Sequence, residues 1–365
     1  MAQNLNKKTQ PASREQRLEA YQPLSGMVVP RFAGISTFMR LPYLAPVEAP
    51  GEIDIAILGI PFDGATTNRP GTRLGPRQVR EASSLMRLVN YGTLVAPYEL
   101  CACADVGDVP VNPIDVQDTL RRIEAELSYL YQGGVTPLSI GGDHIISYPI
   151  LRALAAKGGP MGLIHIDAHS DTGDTYFGGQ KLTHGTPFRR AIEDGVLDPK
   201  RMVQIGIRGH MYSADEREWA LGQGIRIIDM EEVVEKGIPY AIAEARRVVG
   251  MEPTYFTFDI DSIDAGFVPG TGSPEPGGLL PREALKALRM VAREGICGME
   301  VVEIAPPYDV SDMTAQLGCR AIMDVLGTMV EEGHLGRRTK AERERAEQER
   351  AERLRAQGSA DGPAA

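Results

Sequence analysis

The feature that most constrains the fold is a short apolar segment followed by charged side chains at alternating positions. Residues 162–164 lead toward Asp167, His169 and Asp171, which stand at positions i, i+2 and i+4. In an extended chain alternate side chains point to the same side, so this spacing directs two carboxylates and one imidazole toward a common point. Unpaired carboxylates are costly to bury, and a bound divalent cation would neutralise them.

Two further segments combine a strand-like run with metal-ligating side chains. The run 137–141 is followed by His144, and the β-branched and aromatic run 254–258 is followed by Asp259 and Asp261. Ligand-type residues thus stand at the carboxyl ends of three predicted strands, which is where open α/β sheets place their sites. A polar strand end in a surface loop explains one such motif, but three in one chain favour a shared site.

The order of elements predicts an α/β fold. Strand patterns alternate with helix patterns, which indicates parallel βαβ units, and we count about eight strands. The count fits an eightfold barrel or an open sheet, and the long glycine-rich loops favour the open sheet. We assign 1–45 to an N-terminal arm and lid segment, 46–333 to one catalytic domain, and 334–365 to a charged C-terminal helix and disordered tail.

Two of these terminal segments admit alternatives. Residues 26–45 contain aromatic and apolar side chains in an irregular pattern, so they are either a lid over a pocket or a contact between subunits. Residues 337–356 interleave Glu, Arg and Ala with almost no apolar stripe, which predicts an exposed helix, with a partner-docking helix as the alternative.

Charge and composition exclude several classes of protein. The formal net charge is −10, whereas a nucleic-acid-binding surface is basic. No apolar run approaches the roughly 20 residues of a membrane helix. The four cysteines form no CxxC pair, and no secretory segment opens the chain, so we expect reduced thiols in a cytoplasmic protein.

The candidate metal ligands are too numerous for one small cation. They are His144, Asp167, His169, Asp171, Asp259 and Asp261. This set predicts a pair of ions bridged by Asp167 and Asp259. Oxygen ligands with some imidazole favour Mn²⁺, while Ni²⁺ and Co²⁺ remain possible.

Five motifs together resemble the ureohydrolase family, which includes arginase, agmatinase, guanidinobutyrase and guanidinopropionase. They are 141–144 (GGDH), 167–171 (DAHSD), 258–264 (FDIDSID), 184–190 (HGTPFRR) and 269–279 (PGTGSPEPGGL). The last two are closer to agmatinase than to arginase. The resemblance spans most of 30–330 and implies a three-layer αβα fold with an eight-stranded parallel sheet, a binuclear manganese centre with two Mn²⁺ per chain, and a hexamer of identical chains.

The resemblance also implies roles for residues outside the ligand set. His184 stands at the family's proton-transfer position, and Glu303 matches the glutamate that holds the substrate guanidinium. Asp171 would orient the attacking water. The implied reaction is hydrolysis of a guanidino compound other than arginine to urea and an amine. The remaining histidines, His165 among them, match no motif.

The loop between Asp171 and His184, with the 26–45 segment and the loop after Gly209, is predicted to select the substrate. The side chains of the 172–183 loop that are expected to contact the substrate are Tyr176, Phe177 and Lys181. Guanidinopropionases carry Tyr at the position of Tyr176, which favours a guanidino acid such as 3-guanidinopropanoate or 4-guanidinobutanoate, with agmatine also possible. Gly173 stands where these relatives usually have Asn, which removes a polar contact. A small alkylated guanidine or a biguanide therefore remains an alternative substrate. Tyr176 could equally serve loop packing.

Two other classes of function are alternatives. One is a deacylase that uses a single zinc ion, and the second is a non-catalytic chain within a mixed oligomer containing a paralogue. Neither is favoured, because the complete set of six ligand positions suits two ions and catalysis. We expect no nucleic-acid or membrane partner.

Overall fold

A sheet of eight parallel strands organises residues 13–91 and 94–335, which are the residues that the computed structural model describes. The strand order is β2-β1-β3-β8-β7-β4-β5-β6. The strands are β1 (Ile55–Ile60), β2 (Cys103–Asp108), β3 (Thr136–Gly141), β4 (Met161–Ile166), β5 (Leu197–Ile207), β6 (Arg226–Asp229), β7 (Thr254–Asp259) and β8 (Met299–Val302). Every neighbouring pair is parallel, as the alternation of strands and helices predicted.

Helices cover both faces of the sheet. They are α1 (Arg14–Ala20), α2 (Gly75–Ser83), α3 (Val116–Gln132), α4 (Ser147–Gly158), α5 (Pro187–Glu193), α6 (Asp215–Gln223), α7 (Met230–Val249), α8 (Pro281–Arg293) and α9 (Met313–Glu331). Core residues of α2, α7, α8 and α9 belong to one apolar cluster, and those of α3, α4, α5 and α6 to another. The sheet therefore lies between two helical layers.

Strand β1 shows why both faces are buried. Ile55 and Ile57 belong to the first cluster, whereas Ala56, Leu58 and Ile60 belong to the second. Successive side chains of a strand point to opposite faces, and helices cover both faces of this sheet. The sequence of a central strand is therefore a continuous apolar run.

Two helices were not predicted. Helix α6 buries only Ala220, so it has no apolar stripe to reveal it, although Asp215, Glu216 and Glu218 lie in its first turn, where the helix dipole favours acidic side chains. Helix α1 lies within the expected irregular arm. Ser13 caps it by accepting from the backbone of Gln16.

The segment 26–45 is anchored by its second half. Phe38 and Met39 are buried, and the backbone N–H of Phe38 donates to Asp105 Oδ2 at 2.7 Å. The first half projects apolar side chains, with Met27 96% exposed and Phe32 94% exposed. These exposed side chains favour the subunit-contact interpretation over a lid.

The segment 337–356 lies outside the described residues, as do residues 1–12. Within 13–91 and 94–335, no helix is both long and apolar enough to cross a membrane.

Candidate metal centre and substrate cavity

The order of the strands brings the predicted ligands to one edge of the sheet. Strands β3, β8, β7 and β4 are consecutive neighbours. His144 follows β3, Asp167 follows β4, and Asp259 ends β7. Since the strands are parallel, their carboxyl ends lie at the same edge, and Glu303 follows β8 between them.

The ring of His144 faces three carboxylates. Its Nδ1 atom lies 3.1 Å from Asp167 Oδ2, 2.9 Å from Asp171 Oδ2 and 3.2 Å from Asp259 Oδ2. Its other nitrogen, Nε2, is 2.8 Å from Thr257 Oγ1. The hydroxyl of Thr257 thus fixes the ring so that Nδ1 points toward the acidic residues.

A second group of ligands adjoins the first. His169 Nδ1 lies 3.0 Å from Asp261 Oδ2 and 3.6 Å from Asp167 Oδ1. Asp167 therefore offers one oxygen to each group, which is the arrangement that a bridging ligand needs. The structure brings all six predicted ligand residues together.

The donor set fits divalent cations. His144 Nδ1 is buried and, despite three carboxylate oxygens within 3.2 Å, it makes no hydrogen bond of acceptable geometry. Burial and the neighbouring carboxylate of Asp261 raise the pKa of Asp259 well above its usual range. A convergence of buried carboxylates and an imidazole nitrogen around one point is unfavourable without a counter-charge, and a cation supplies it.

His165 is a residue of the centre that sequence reasoning missed. It is fully buried, and its Nε2 atom lies 2.6 Å from Asp167 Oδ2. The amide nitrogen of Gln204 lies 3.1 Å from its Nδ1 and also donates to Ser170 O. An amide nitrogen donates, so Nδ1 accepts and Nε2–H donates to Asp167. The spacing could have revealed it, since His165, Asp167 and His169 alternate along the chain.

Glu303 connects the metal centre to His184. Its Oε1 atom accepts from the backbone N–H of His144 at 2.9 Å and lies 2.9 Å from His184 Nδ1. Its Oε2 atom is buried and has no hydrogen-bond partner among the described residues. The carboxylate therefore keeps one oxygen for a ligand.

His184 is held at both ring nitrogens. The backbone N–H of Thr67 lies 3.2 Å from Nε2, and the Thr67 hydroxyl lies 2.8 Å from it. A backbone amide only donates, so Nε2 carries a lone pair and Nδ1–H donates to Glu303. Burial opposes a charged ring, but Glu303, with smaller contributions from Asp143 and Asp171, outweighs burial and raises the pKa of His184 to about 9. The amide of Thr67 favours the neutral ring, and the carboxylate favours the protonated one.

Two side chains of the centre stand on a left-handed backbone. Asp171 has φ of 51° and Glu303 has φ of 63°. Residues other than glycine adopt this region at a cost of roughly 1–3 kcal/mol. Such conformations persist where the surrounding contacts enforce them, and here they direct a carboxylate toward the ligand cluster and another toward the adjoining cavity.

A cavity of about 540 Å³ opens beside the centre. Its wall includes Asp171, Asp259, His184 and Glu303, together with Tyr176 of the predicted selectivity loop. Met211 and Tyr212 also line it, and they belong to the loop after Gly209, which the sequence predicted as part of the tail-recognising surface. Thr67, Arg69 and Glu216 line it as well and were not predicted. Residues 26–45 contribute nothing to the wall among the described lining residues.

The predicted selectivity loop presents one of its three side chains to the cavity. Phe177 is 74% exposed, Lys181 is exposed, and neither lines the cavity in this chain. The reason is a tight turn in which Gln180 N–H donates to Tyr176 O at 2.7 Å and Phe177 has φ of 49°. The turn directs Tyr176 inward and its neighbour outward.

Two glycines make room for the ring of Tyr176. A Cβ at Gly185 would stand 2.5 Å from the Tyr176 hydroxyl oxygen, and a Cβ at Gly173 would stand 3.2 Å from a carbon of the same ring. Tyr176 also packs edge-on against Tyr212, with ring centroids 5.9 Å apart. The nearest atom to a Cβ at Gly173 is the backbone oxygen of Gly185, at 2.9 Å, so a larger residue there would require the chain at Gly185 to shift.

Arg208, also unpredicted, fastens the loop that carries Asp261. Its Nη2 atom donates to Asp261 O at 2.8 Å and to Glu275 O at 2.7 Å, and its Nε donates to Pro276 O at 3.0 Å. These bonds tie the end of β5 to the loop after β7.

Comparison with known proteins agrees with this geometry. Residues 53–327 match the arginase family. A guanidinopropionase of Pseudomonas aeruginosa is 51% identical over 310 residues, covering 85% of this chain and 96% of the relative. A guanidinobutyrase of the same organism is 43% identical over 309 residues, covering 84% of this chain and 96% of the relative.

The structure of proclavaminate amidino hydrolase from Streptomyces clavuligerus superposes with a TM-score of 0.79 at 39% identity, covering 83% of this chain and 99% of that one. The predicted fold class and family are both confirmed. Since the match spans the whole sheet and every strand that carries a ligand, the chain belongs to the arginase family.

Proposed function

We propose that this protein hydrolyses a small guanidino compound other than arginine, namely a guanidino acid such as 3-guanidinopropanoate or 4-guanidinobutanoate, or agmatine. The observation that carries the proposal is Glu303 Oε2, a buried acceptor with no partner among the described residues, in the wall of the cavity beside the His/Asp cluster. An unsatisfied buried acceptor is costly unless a ligand donates to it. A guanidinium group offers planar, charged N–H donors for that purpose.

The side chains around Glu303 suit hydrolysis of the group that it would hold. Divalent cations bound by the cluster would supply a water molecule that ionises near neutral pH. Asp171 would orient that water toward the guanidinium carbon. A C–O bond forms and a C–N bond breaks, and the leaving amine takes up a proton, which His184 would help to deliver. The products are urea and an amine, and atoms and charge balance.

We propose two Mn²⁺ ions per chain as the native metal, with Ni²⁺ as the alternative. His144, Asp171 and Asp259 would hold one ion, and His169 and Asp261 the other. Asp167 would bridge the two, as its contacts with both histidines suggest, and Asp259 is the second candidate bridge. Oxygen-rich sites with some imidazole suit Mn²⁺, although the ligand types do not fix the metal.

We also propose that the protein is a cytoplasmic homohexamer. The exposed apolar surface of Met27, Phe32 and Ile35, which a neighbouring subunit would cover, supports the oligomer. A mixed oligomer with a paralogue is the alternative, and size measurement on the purified chain distinguishes the two.

A second candidate substrate is a small alkylated guanidine or a biguanide. The aromatic wall of Tyr176 and Tyr212, with Met211 beside it, favours this candidate. Such a wall stabilises apolar substituents and cations through ring faces. The charge of the substrate tail separates this candidate from a guanidino acid.

The test is a screen for urea release with the purified chain, loaded separately with Mn²⁺ and Ni²⁺. The panel contains 3-guanidinopropanoate, 4-guanidinobutanoate, agmatine, arginine, a dimethylated biguanide and an acetylated amine. About two metal ions per chain with urea from a guanidino acid or agmatine support the proposal. One zinc ion per chain with acetate release would support a deacylase. Urea production only after addition of a paralogue would identify a mixed oligomer.

A further inference from the structure

Arg69 stands in the cavity wall on the loop after β1, outside every motif that marks the metal centre. Its guanidinium carbon lies 3.9 Å from the centroid of the Tyr308 ring. The Tyr308 hydroxyl in turn donates to Pro70 O at 2.9 Å. The ring is therefore tied to the residue next to Arg69, which keeps the arginine stacked in one place.

The side-chain N–H groups of Arg69 make no hydrogen bond within the described part of the chain. No carboxylate or carbonyl there accepts from its side chain, and the ring of Tyr308 attracts its charge without occupying its N–H groups in the guanidinium plane. Arg152 makes a useful contrast, since it stacks on Tyr148 but also pairs with Glu124 and Asp194. An arginine that is positioned only by stacking on an aromatic ring has its N–H donors available for a ligand.

The donors of Arg69 share one cavity with the free oxygen of Glu303. Gly272 adjoins both residues, since a Cβ placed there would stand 2.9 Å from the backbone oxygen of Arg69 and 3.9 Å from Glu303 Oε2. Arg69 is the only Arg or Lys among the described lining residues. The cavity thus combines an acceptor suited to a guanidinium with a cation whose N–H groups have no acceptor among the described residues.

We propose that Arg69 binds the carboxylate tail of the substrate and thereby makes this enzyme selective for ω-guanidino acids over cationic or neutral guanidines. This inference rests on the proposed function and narrows its substrate class. Arginine matches a carboxylate with two parallel N–H bonds, so one side chain can both attract and orient the acid. With Glu303 holding the guanidinium, the substrate is bound at both of its charged ends.

The acidic residue Glu216 is the feature that would favour the opposite selectivity. It lines the same cavity and could attract the ammonium of agmatine. Its carboxylate, however, accepts a hydrogen bond from the Ser170 hydroxyl. Glu216 Oε1 thus already has a protein donor, whereas the N–H groups of Arg69 have no acceptor among the described residues, and this difference favours an anionic tail.

The test compares two substrates that differ only in the charge of the tail, 3-guanidinopropanoate and its neutral amide, 3-guanidinopropanamide. We expect the metal-loaded wild-type protein to prefer the acid. Arg69→Gln should lower kcat/KM for the acid about 10- to 100-fold, mainly through KM, because a charged hydrogen bond is lost. The same variant should change kcat/KM for the amide by less than about 2-fold, and Arg69→Lys should recover part of the preference for the acid.

Arg152→Gln is the matched control, since it removes an arginine stacked on a tyrosine away from the cavity, and it should preserve the preference. Equal losses for acid and amide in Arg69→Gln would make Arg69 a structural residue and overturn the inference. An unchanged ratio in that variant, or a wild-type preference for agmatine or the amide, would overturn it as well. If the wild-type protein releases urea from no guanidino compound, the proposed function itself fails and the inference with it.

Discussion

Replacing Glu303 by glutamine tests whether this side chain binds substrate or only supports the fold. The glutamine oxygen can still accept from the backbone N–H of His144 and from His184 Nδ1, both 2.9 Å from Oε1. The backbone donor of His144 fixes which way the amide turns. The new NH₂ group then takes the place of Oε2, the atom that has no hydrogen-bond partner in the described part of the chain.

The expected loss follows from what the NH₂ group would face. It is a donor directed at the donors of a guanidinium, and one or two charged hydrogen bonds worth about 1.5–3 kcal/mol each disappear. At about 1.4 kcal/mol per factor of ten, kcat/KM should fall roughly 10- to 10⁴-fold. Metal content and the midpoint of thermal unfolding should stay at wild-type values, because the two internal hydrogen bonds of the side chain remain.

The assay is urea release at several substrate concentrations, with metal content measured by mass spectrometry on the same sample. Glu283→Gln is the matched control, since Glu283 accepts from Leu280 N–H at the start of α8, on another part of the protein. Full turnover in Glu303→Gln would refute the substrate-binding role. Loss of metal together with a large fall in the unfolding midpoint would show that the residue is structural.

Three further changes separate the parts of the site. Asp259→Asn should abolish activity and lower metal content, because it removes an anionic oxygen facing His144 Nδ1; full metal content with full turnover would contradict this. His184→Ala should keep its metal and slow turnover about 10²–10⁴-fold, the usual range for general acid–base help, and an unchanged rate would mean that the proton moves by another route. Gly185→Ala should shift the kcat/KM ratio between a guanidino acid and a dimethylated biguanide about 10-fold, because the new Cβ displaces the Tyr176 ring; a constant ratio would make that ring scaffold.

The part of the centre that could be predicted is the part that the sheet itself imposes. Parallel strands place their carboxyl ends at one edge, and the period of two sets which side chains point the same way. These two rules sufficed to bring His144, Asp167 and Asp259 together, although His144 and Asp259 are more than 100 residues apart in the chain. They also explain why the fold class was predictable, since each buried strand is a short apolar run.

The residues that escaped prediction are those whose partners are remote and whose local pattern is ordinary. Thr67 and His184 are 117 positions apart, and nothing in the sequence around Thr67 indicates the contact. Arg69 is positioned by Tyr308, which is about twice as far away in the chain, since Tyr308 and Pro70 are 238 positions apart. Phe177 was predicted to reach the substrate from the path of its loop, but a single tight turn reverses its direction.

The candidate metal ligands and the residues that would contact the substrate tail lie on different segments of the fold. The candidate metal ligands follow β3, β4 and β7, and Glu303 follows β8, which the strand order inserts between β3 and β7. The groups that would meet the substrate tail come from elsewhere: Arg69 from the loop after β1, Tyr176 from the far part of the loop after β4, and Tyr212 from the loop after β5. Loops tolerate change better than the strands that they connect. A change of tail specificity therefore requires no movement of the metal ligands, and variants at Arg69 or around Tyr176 should alter which substrate is hydrolysed while metal content stays constant.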